Sequence, residues 1–414
     1  MGIRCLVASS LYDMKYDITI IGAGPAGLSF ARSLANTDLK VALIEKLPRS
    51  TLCDPAFDGR DIALTHKSAK ILRELGVWSR IPADAIYRIK EARVLDGASP
   101  YFLSFDSDKD SVEALGYIVS NHRLRKALYE ELETAVNVDM TTDVAVTSVT
   151  TNIDNAFVVL SNGETIESSL VVAADTRFSE ARRMMGIPAS MRDFSRVAIV
   201  CRMKHEQPHN EVAFECFHYG RTLAVLPLTE KESSIVVTAP ADIAKALLDM
   251  PVEQFSADVQ RRFEDRLGTM ELVSELHPYP LVAVHADKFV ATRFALIGDA
   301  AVGMHPVTAH GFNLGLSGQD ILAKEIEYAE SQGRDIGDSR LLHNYQSRHM
   351  RATKPLYLGT NEIVSFFTND ALPIKALRTI ALRITNNFFP VKWVIKKLLT
   401  ETEDPQIIRL PQDR

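Results

Sequence analysis

Residues 17–27 read Asp-Ile-Thr-Ile-Ile-Gly-Ala-Gly-Pro-Ala-Gly, and this stretch decides the fold. Its β-branched residues at 18–21 are typical of a buried parallel strand, and residues 28–35 have the pattern of a helix. Between them, glycines stand at G-x-G-x-x-G spacing, which suits a tight turn, a close backbone approach to a pyrophosphate and close packing of helix on strand. These positions are Gly22, Gly24 and Gly27, with Pro25 and Ala26 between the last two. The stretch therefore predicts a βαβ unit that binds an ADP group.

A second buried strand, predicted at 41–44, leads to Glu45 and Lys46. The helix after the glycines offers free N–H groups and the positive end of its dipole to phosphates. In such a unit, the acid about 20 residues after the last glycine hydrogen-bonds a ribose. Glu45 is therefore predicted to bind the adenosine ribose.

Composition limits the class of protein. The 414 residues suffice for two domains, and 46% hydrophobic with 24% charged residues is ordinary for a globular enzyme. The net charge of -6 argues against non-specific binding of nucleic acid. The four cysteines show no C-x-x-C spacing, so we expect neither a metal site nor a disulfide framework. A reducing, cytoplasmic location fits this cysteine usage best.

The pattern of strands and helices divides the chain. Residues 15–190 read as the first part of a nucleotide-binding domain, with strands near 85–105 that join a second domain. Residues 191–285 contain long strands with no helix before 241–248, which is typical of an antiparallel sheet layer that binds substrate. Residues 286–370 return to a buried strand and a long helix. We expect an α/β fold in which the antiparallel sheet is inserted into the nucleotide-binding domain.

The two ends of the chain differ from the rest. Residues 1–14 are an expected disordered extension whose apolar run is too short for a signal peptide, and either Met1 or Met14 is the start. Residues 371–414 are expected to be helical and mix apolar with basic side chains, without an acid before Glu401. Such a basic amphipathic segment either lies at a membrane surface or packs on the domain with its basic face solvated. Both interpretations stay open.

Two further stretches carry candidate ligands of a cofactor. Arg60 stands at a loop-to-helix junction, where it is either solvated or paired with a cofactor phosphate or ribose. Gly298 and Asp299 follow a predicted buried strand. Asp299 binds a second ribose or ribityl chain, or else it caps the next helix.

Three separated motifs together resemble the class A flavoprotein monooxygenases, which have the p-hydroxybenzoate hydroxylase fold. Within that class the chain is most similar to the ubiquinone-biosynthesis ring hydroxylases, over about residues 15–365. The motifs are Gly22-Ala23-Gly24-Pro25-Ala26-Gly27, then Ala174-Asp175-Thr176-Arg177 with Arg182, and Gly298-Asp299-Ala300-Ala301 with His305-Pro306 and Gly311-Phe312-Asn313.

The resemblance implies FAD as cofactor and assigns residues to it. Asp299 is expected at the ribityl chain, and Arg60 with Asn121 on the other side of the flavin. Further expected FAD contacts are Lys46, Asp175, Gly298, Pro306, Gly311, Phe312 and Asn313.

One loop departs from the family pattern. Residues 308–311 read Thr-Ala-His-Gly where the family usually has Ala-Gly-Gln-Gly. The resemblance places this loop against the flavin ring, so Pro306, Thr308, Ala309 and His310 are candidates for flavin or substrate contacts. His310 either titrates near the flavin or only hydrogen-bonds to the backbone. The change indicates a divergent branch with broad regioselectivity, of the UbiM type, and no general base is assigned.

The implied reaction is hydroxylation of a polyprenylated phenol, a quinone precursor, through a flavin C4a-hydroperoxide. NAD(P)H is the expected electron donor and O2 the co-substrate. So apolar a substrate is met at a membrane or in a lipid-holding complex, which makes a ubiquinone-biosynthesis complex and peripheral contact of 371–414 with the inner membrane expected partners.

Three other functions remain open from the sequence. They are an FAD-dependent hydroxylase of another aromatic compound, an FAD-dependent polyprenyl reductase, and a non-catalytic scaffold subunit that FAD only stabilises. Incorporation of oxygen into product separates hydroxylase from reductase. Substrate-stimulated consumption of NAD(P)H separates an enzyme from a scaffold.

Overall fold

The computed structural model describes residues 14–96, 102–107, 113–218, 220–304 and 310–368. The expected extension at 1–13 and the basic segment at 371–414 lie outside these residues, as do Pro306, Thr308 and Ala309. Among the described helices, none is long and apolar enough to cross a membrane.

The described chain is a mixed α/β structure with three sheets. The strands in chain order are β1 (Met14–Ile21), β2 (Val41–Ile44), β3 (Asp61–Leu64), β4 (Tyr87–Ile89), β5 (Glu91–Asp96), β6 (Phe102–Asp106), β7 (Gly116–Ser120), β8 (Val138–Thr141), β9 (Val146–Thr151), β10 (Ala156–Leu160), β11 (Thr165–Ala173), β12 (Ala189–His205), β13 (Val212–His218), β14 (Arg221–Pro227), β15 (Glu232–Pro240), β16 (Met270–Leu272), β17 (His277–Ala286), β18 (Val290–Ala291), β19 (Phe294–Leu296) and β20 (Val302–Gly303). The α-helices are α1 (Pro25–Ser33), α2 (Arg49–Cys53), α3 (His66–Glu74), α4 (Asn121–Leu132), α5 (Glu180–Met184), α6 (Ala241–Leu248), α7 (Val252–Arg262), α8 (His310–Ser331) and α9 (Ser339–Thr368).

The first sheet is the Rossmann-type layer that the opening stretch predicts. Its strand order is β18-β19-β11-β1-β2-β8, and β1 runs parallel to both β2 and β11. Ile18 and Ile20 of β1 are fully buried, as expected for a parallel strand with neighbours on both sides. β1 begins at Met14, which pairs with Ile166, so the strand starts one residue before the expected boundary.

Helix α1 begins at Pro25, three residues before the predicted start. Proline fits the first helical position because its φ is already helical and its missing N–H has no intrahelical acceptor there. Helix α8 likewise begins before its predicted start at 314, with His310 as its first residue. Helices α1 and α8 pack against each other and bring the two ends of the nucleotide-binding domain together.

The second sheet has nine strands in the order β20-β17-β12-β15-β14-β13-β5-β6, with β16 paired to β12. Its pairs are antiparallel except for β13 with β5, which runs parallel. Pairing with β13 and with each other brings β5 and β6 into this sheet. In the chain, the end of β6 at Asp106 and the start of β13 at Val212 are 106 positions apart. Helices α6 and α7 cover one face, where Phe255 and Phe263 are almost fully buried. The opposite face points to the nucleotide-binding domain.

A small third sheet, β3-β7-β4, stands between the two large ones. Its pairs are antiparallel, and the main chain of Asn121, just after β7, donates from its N–H to the carbonyl of Arg60, just before β3. This sheet therefore places two of the predicted cofactor ligands next to each other.

Candidate active site

The fingerprint glycines meet two different requirements. Gly22 has a φ of 102°, and a Cβ there would lie 2.7 Å from the carbonyl oxygen of Ala174. A Cβ on Gly27 would overlap the carbonyl oxygen of Gly22. Gly22 and Gly27 are therefore glycines because the protein itself leaves no room for a side chain.

Gly24 is different, because the protein does not require a glycine there. Its φ of -72° suits any residue, and a Cβ would meet no protein atom within 4 Å. The open space lies at the N-terminus of α1, where the first N–H groups of the helix have no intrahelical acceptor. A pyrophosphate that approaches the backbone explains both the glycine and the open space. The residues present thus fit the diphosphate of FAD.

Glu45 is held in place by the backbone at the end of β2. Its Oε2 accepts from the N–H of Ala23 at 2.7 Å, its Oε1 accepts from the N–H of Leu47 at 2.9 Å, and only 8% of its surface is exposed. A carboxylate has about four acceptor sites, so two such bonds leave capacity for ribose hydroxyls. Lys46 beside it is exposed. Their contacts with a ribose stay predictions.

Arg60 and Asn121 meet at a third residue that the sequence analysis did not name. Asp58 accepts from Nε of Arg60 at 3.0 Å and from Nδ2 of Asn121 at 2.8 Å. These bonds hold the pKa of the Asp58 carboxyl below its usual range, against the opposing effect of burial, which is the largest single influence. Arg60 also lies over the ring of Tyr279, 5.2 Å from its centroid. The two predicted ligands are thus positioned together, with Asn121 buried and Arg60 half-exposed.

The second motif is bonded to the third. Nη2 of Arg177 donates to Oδ2 of Asp299 at 2.9 Å, and Nη1 of Arg182 donates to the carbonyl of Ala300 at 2.8 Å. Arg182 is 2% exposed and also donates to the carbonyl of Arg177. The two arginines therefore fix the position of the Gly298–Ala300 turn. The Asp299 side chain makes this ion pair and no helix-capping bond.

Asp175 lies at the carboxyl end of β11, against Gly22. Its Oδ2 accepts from the N–H of Glu180 at 3.0 Å, at the start of α5. Its Oδ1 is buried without a partner among the described residues, and burial raises the pKa of this carboxyl. The placement gives Asp175 a role in the local backbone, and its contact with FAD stays a prediction.

Small residues let the third motif contact the first. Gly298 has a φ of 59°, and a Cβ there would lie 2.6 Å from the Cβ of Ala26. A Cβ on Gly315 of α8 would lie 3.4 Å from the Cα of Gly298. The absence of side chains at Gly298 and Gly315 therefore lets the third motif and α8 approach the fingerprint closely.

The first turn of α8 contains the other predicted ligands. Gly311 has open space beside it, Phe312 is partly buried against the main core, and His310 is buried. Asn313 bonds to the main chain of β3 and its C-terminal flank: its Nδ2 donates to the carbonyl of Ala63 at 2.9 Å, and its Oδ1 accepts from the N–H of Thr65 at 3.1 Å. Asn313 thus anchors the beginning of α8.

A contact between the second sheet and the nucleotide-binding domain was not predicted from the sequence. Nη2 of Arg202, on β12, donates to Oδ1 of Asp61 at 2.7 Å and to Oγ of Ser120 at 2.6 Å. Its guanidinium lies over the ring of Phe57 at 4.8 Å. An arginine inside an apolar strand was the available signal, because charged residues are seldom buried without a partner.

Comparison with known proteins agrees with this geometry. Residues 15–356 match the family described as FAD binding domain. Ubiquinone hydroxylase UbiM of Neisseria meningitidis is 48% identical over 97% of this chain and 87% of that protein. Ubiquinone hydroxylase UbiL of Rhodospirillum rubrum is 31% identical over 96% of this chain and 93% of that protein.

Solved structures show the same fold at low identity. The p-nitrophenol 4-monooxygenase PnpA of Pseudomonas putida superposes with a TM-score of 0.74 at 17% identity, over 94% of this chain and 99% of that one. PqsL of P. aeruginosa gives 0.73 at 20% identity, over 86% and 97%. The fold and site define an FAD-binding flavoprotein with the p-hydroxybenzoate hydroxylase fold. The chain belongs to the FAD-dependent aromatic-ring monooxygenases of this fold, and within them to the ubiquinone-biosynthesis hydroxylase family.

Proposed function

We propose that this protein hydroxylates the aromatic ring of a polyprenylated phenol on the route to ubiquinone. FAD is its cofactor, NAD(P)H its electron donor and O2 its co-substrate. The observation that carries the proposal is the 48% identity with ubiquinone hydroxylase UbiM over 97% of the chain. The site geometry adds support, since the second motif lies against the first at Ala174 and Gly22, and the third lies against the first at Gly298 and Ala26.

Different residues of the chain hold different parts of the cofactor. Bound FAD supplies the chemistry that accepts a hydride and activates oxygen. Gly24 and the N-terminus of α1 hold the pyrophosphate, and Glu45 the adenosine ribose. Asp299, oriented by Arg177, hydrogen-bonds the ribityl chain. The second sheet covers the opposite side and excludes water from the reacting ring.

The test is the quinone lipid profile of cells with and without the gene. We expect the deletion strain to accumulate a fully prenylated intermediate that lacks one or more ring hydroxyls, and the missing positions identify the carbons served. Re-expression of the wild-type gene restores the profile. An unchanged profile, together with FAD in the purified protein, would instead identify a hydroxylase of another aromatic compound.

We also propose that residues 371–414 make peripheral contact with an anionic membrane surface. The support is compositional: apolar and basic side chains alternate without an acid from 371 to 400. Sedimentation with anionic vesicles tests this contact, and deletion of residues 372–414 is expected to abolish it. If the deletion variant and the wild type sediment equally with the vesicles, the membrane contact is wrong. The segment would then dock on the domain or on a ubiquinone-biosynthesis complex.

A further inference from the structure

The face of the second sheet that points to the nucleotide-binding domain carries an isolated carboxyl group. Side chains alternate between the two faces along a strand. Phe214 and Cys216 of β13 pack in the core beneath α6 and α7. Glu215, between them, therefore points to the opposite face.

The strand register shows which residues of the neighbouring strands lie on the same face as Glu215. The row of paired residues that contains Glu215 runs through Val94, Glu215, Ala224, Val236, Val200 and His277. The adjacent row ends in Tyr279, whose hydroxyl donates to the carbonyl of Asp58 at 2.6 Å. His277 itself contacts the ring of Phe57 edge-on, with centroids 5.6 Å apart. The face that carries Glu215 thus lies toward the segment that contains Asp58 and Arg60.

Part of this row is open. Val94, Glu215, Ala224 and Val236 are consecutive in the row, and all four are partly exposed. The wall beside them is apolar, because Val94 packs against the cluster of Leu103, Phe105 and Leu115. Glu215 therefore lies beside apolar side chains, only partly exposed, on the face of the sheet that points to the nucleotide-binding domain.

Within the described chain, Glu215 makes no ion pair, and the nearby arginines have other partners. Those on neighbouring strands are Arg93 with Glu91, Arg221 with Asp258, and Arg88 of β4 with Glu113 and Glu211. On the same face, Arg196 donates to the carbonyl of Gly220, and Arg202 pairs with Asp61. The thiol of Cys216 points to the helix-covered face, and Tyr87 of β4 is within the electrostatic influence of Arg202 and Glu232.

The apolar surroundings change the acid strength of this side chain. Burial raises the pKa of the Glu215 carboxyl to about 8, since desolvation disfavours the charged form. A phenol such as the tyrosine side chain has a pKa of about 10. A general base works best when its pKa lies near the operating pH, so the Glu215 carboxyl is better suited than an ordinary carboxylate to take a phenolic proton.

We propose that Glu215 binds the phenolic hydroxyl of the aromatic substrate and takes its proton. The inference rests on the proposed function, and it assigns the base that the motifs leave unassigned. The O–H bond of the phenol breaks, and its proton forms an O–H bond with the Glu215 carboxylate. The phenolate oxygen then pushes electron density into the ring, which gives an electron pair to the electrophilic oxygen supplied by FAD, NAD(P)H and O2.

Glu215 also gives back the proton at the end of the reaction. Once oxygen is attached, the attacked ring carbon releases its hydrogen as a proton, which restores the aromatic ring. The Glu215 carboxyl returns its proton to the phenolic oxygen. The product is a diphenol, one proton goes to solvent, and Glu215 ends ionised as it began.

The first experiment measures the pH dependence of turnover. The probe is 2-(3-methylbut-2-enyl)phenol, supplied with NADPH and O2 to the FAD-loaded protein between pH 6 and 9. We expect kcat of the wild type to increase as the pH rises through about 8, because only the ionised carboxylate accepts the phenolic proton. In Glu215→Gln this rise is absent although the phenol still binds, and Glu215→Asp recovers part of it. The matched control is Glu271→Gln, an exposed glutamate on the same sheet, which keeps the rise.

The second experiment measures turnover with O2 and NADPH. Loss of a general base typically costs about 10²–10⁴-fold in rate, so kcat of Glu215→Gln should fall by at least about a hundredfold. An unchanged pH profile and an unchanged kcat in Glu215→Gln would overturn the role of Glu215. Formation of the hydroxylated product by the wild type would still support the proposed function. A wild type that neither binds nor hydroxylates the phenol would overturn both.

Discussion

Each glycine of the fingerprint is required either by the fold or by the ligand. The backbone φ and the space beside each glycine show which of the two applies. Gly22 and Gly27 are fixed by contacts inside the protein, since a side chain at either would strike the backbone. Gly24 has an ordinary φ and free space beside it. Its glycine is therefore explained by the ligand alone, which makes it the clearest position at which to separate folding from cofactor binding.

Gly24→Ala should lower FAD affinity by about tenfold or more, equivalent to about 1.4 kcal/mol, because the added methyl occupies the space for the pyrophosphate. The stability of the apoprotein should change little. Fluorescence titration with FAD and thermal unfolding of the apoprotein measure the two effects. Gly359→Ala is the matched control, since its Cβ also meets nothing within 4 Å and it lies on an exposed part of α9. Equal FAD affinity of Gly24→Ala and the control would contradict the assigned pyrophosphate position.

At the scale of elements, helix α8 forms the site because polar and small residues fix it to its neighbours. Asn313 bonds its first turn to β3, and Gly315 lets it approach Gly298. Further along, a Cβ on Gly318 would lie 2.6 Å from Nε2 of His349, so α9 also packs closely on it. The His349 ring is stacked on Tyr345, with centroids 5.7 Å apart. Loss of these contacts should lower the stability of the protein and its affinity for FAD.

Asn313→Ala should lower the free energy of unfolding by at least about 1 kcal/mol, because it leaves the buried N–H of Thr65 and the partly buried carbonyl of Ala63 without their bonds. Urea unfolding of the purified protein gives this value, and the FAD content reports on cofactor binding. Asn344→Ala, an exposed asparagine on α9, serves as the control and should change stability by less than about 0.5 kcal/mol. Similar losses in both variants would mean that the Asn313 bonds do not anchor α8.

His349 predicts a dependence of stability on pH. It is 1% exposed, and burial lowers its pKa from 6.5 to about 3, with smaller contributions from Lys67 and His285. Its pKa is thus lower in the folded than in the unfolded state, so the unfolded chain binds more protons below pH 6.5. Stability is complete above pH 6.5 and is lost as the pH falls toward 3, by up to about 1.4 kcal/mol per pH unit for one histidine.

Thermal unfolding at pH 7 and pH 5 measures this loss. The difference between the two midpoints should be smaller in His349→Gln than in the wild type, whatever the cost of the substitution at pH 7. It should be unchanged in His343→Gln, whose histidine is exposed on the same helix. A pH dependence that is the same in all three proteins would show that His349 does not titrate on unfolding.

At the scale of the whole molecule, a buried ion pair joins the second sheet to the small third sheet. The Asp61 side chain is fully buried, and its partner Arg202 comes from β12, 141 residues later in the chain. Oγ of Ser120 accepts from Arg202 and donates to Asp61 at 2.7 Å, which completes the contact. This contact sets where the substrate face of the second sheet lies relative to the cofactor.

Arg202→Ala should destabilise the protein by about 3–5 kcal/mol, because it leaves the Asp61 carboxylate buried without a cation. The double variant Asp61→Asn/Arg202→Met removes both charges and should recover most of that loss. Urea unfolding of the three proteins measures the difference. If the double variant is as unstable as Arg202→Ala, packing rather than the ion pair holds the sheets together.

The sequence by itself determined the parts of this protein that depend on neighbouring residues. Gly22, Gly24, Gly27 and Glu45 are confined to one βαβ unit, where local spacing fixes the turn, the helix start and the acid after the second strand. The spacing of three motifs was enough for the resemblance that the comparisons confirm. The run of long strands without a helix before 241–248 likewise indicated the antiparallel layer, because strand patterns are a local property of the sequence.

Only the tertiary structure decided how separate segments meet. Arg177 and Asp299 are 122 residues apart, and Asp58 and Asn121 are 63 apart, so no local pattern links them. The face on which Glu215 lies depends on strand register across β5, β13 and β14, and its raised pKa depends on the apolar side chains that other strands bring to it. Charges and acid strengths respond to distance in space, and distance along the chain does not determine them.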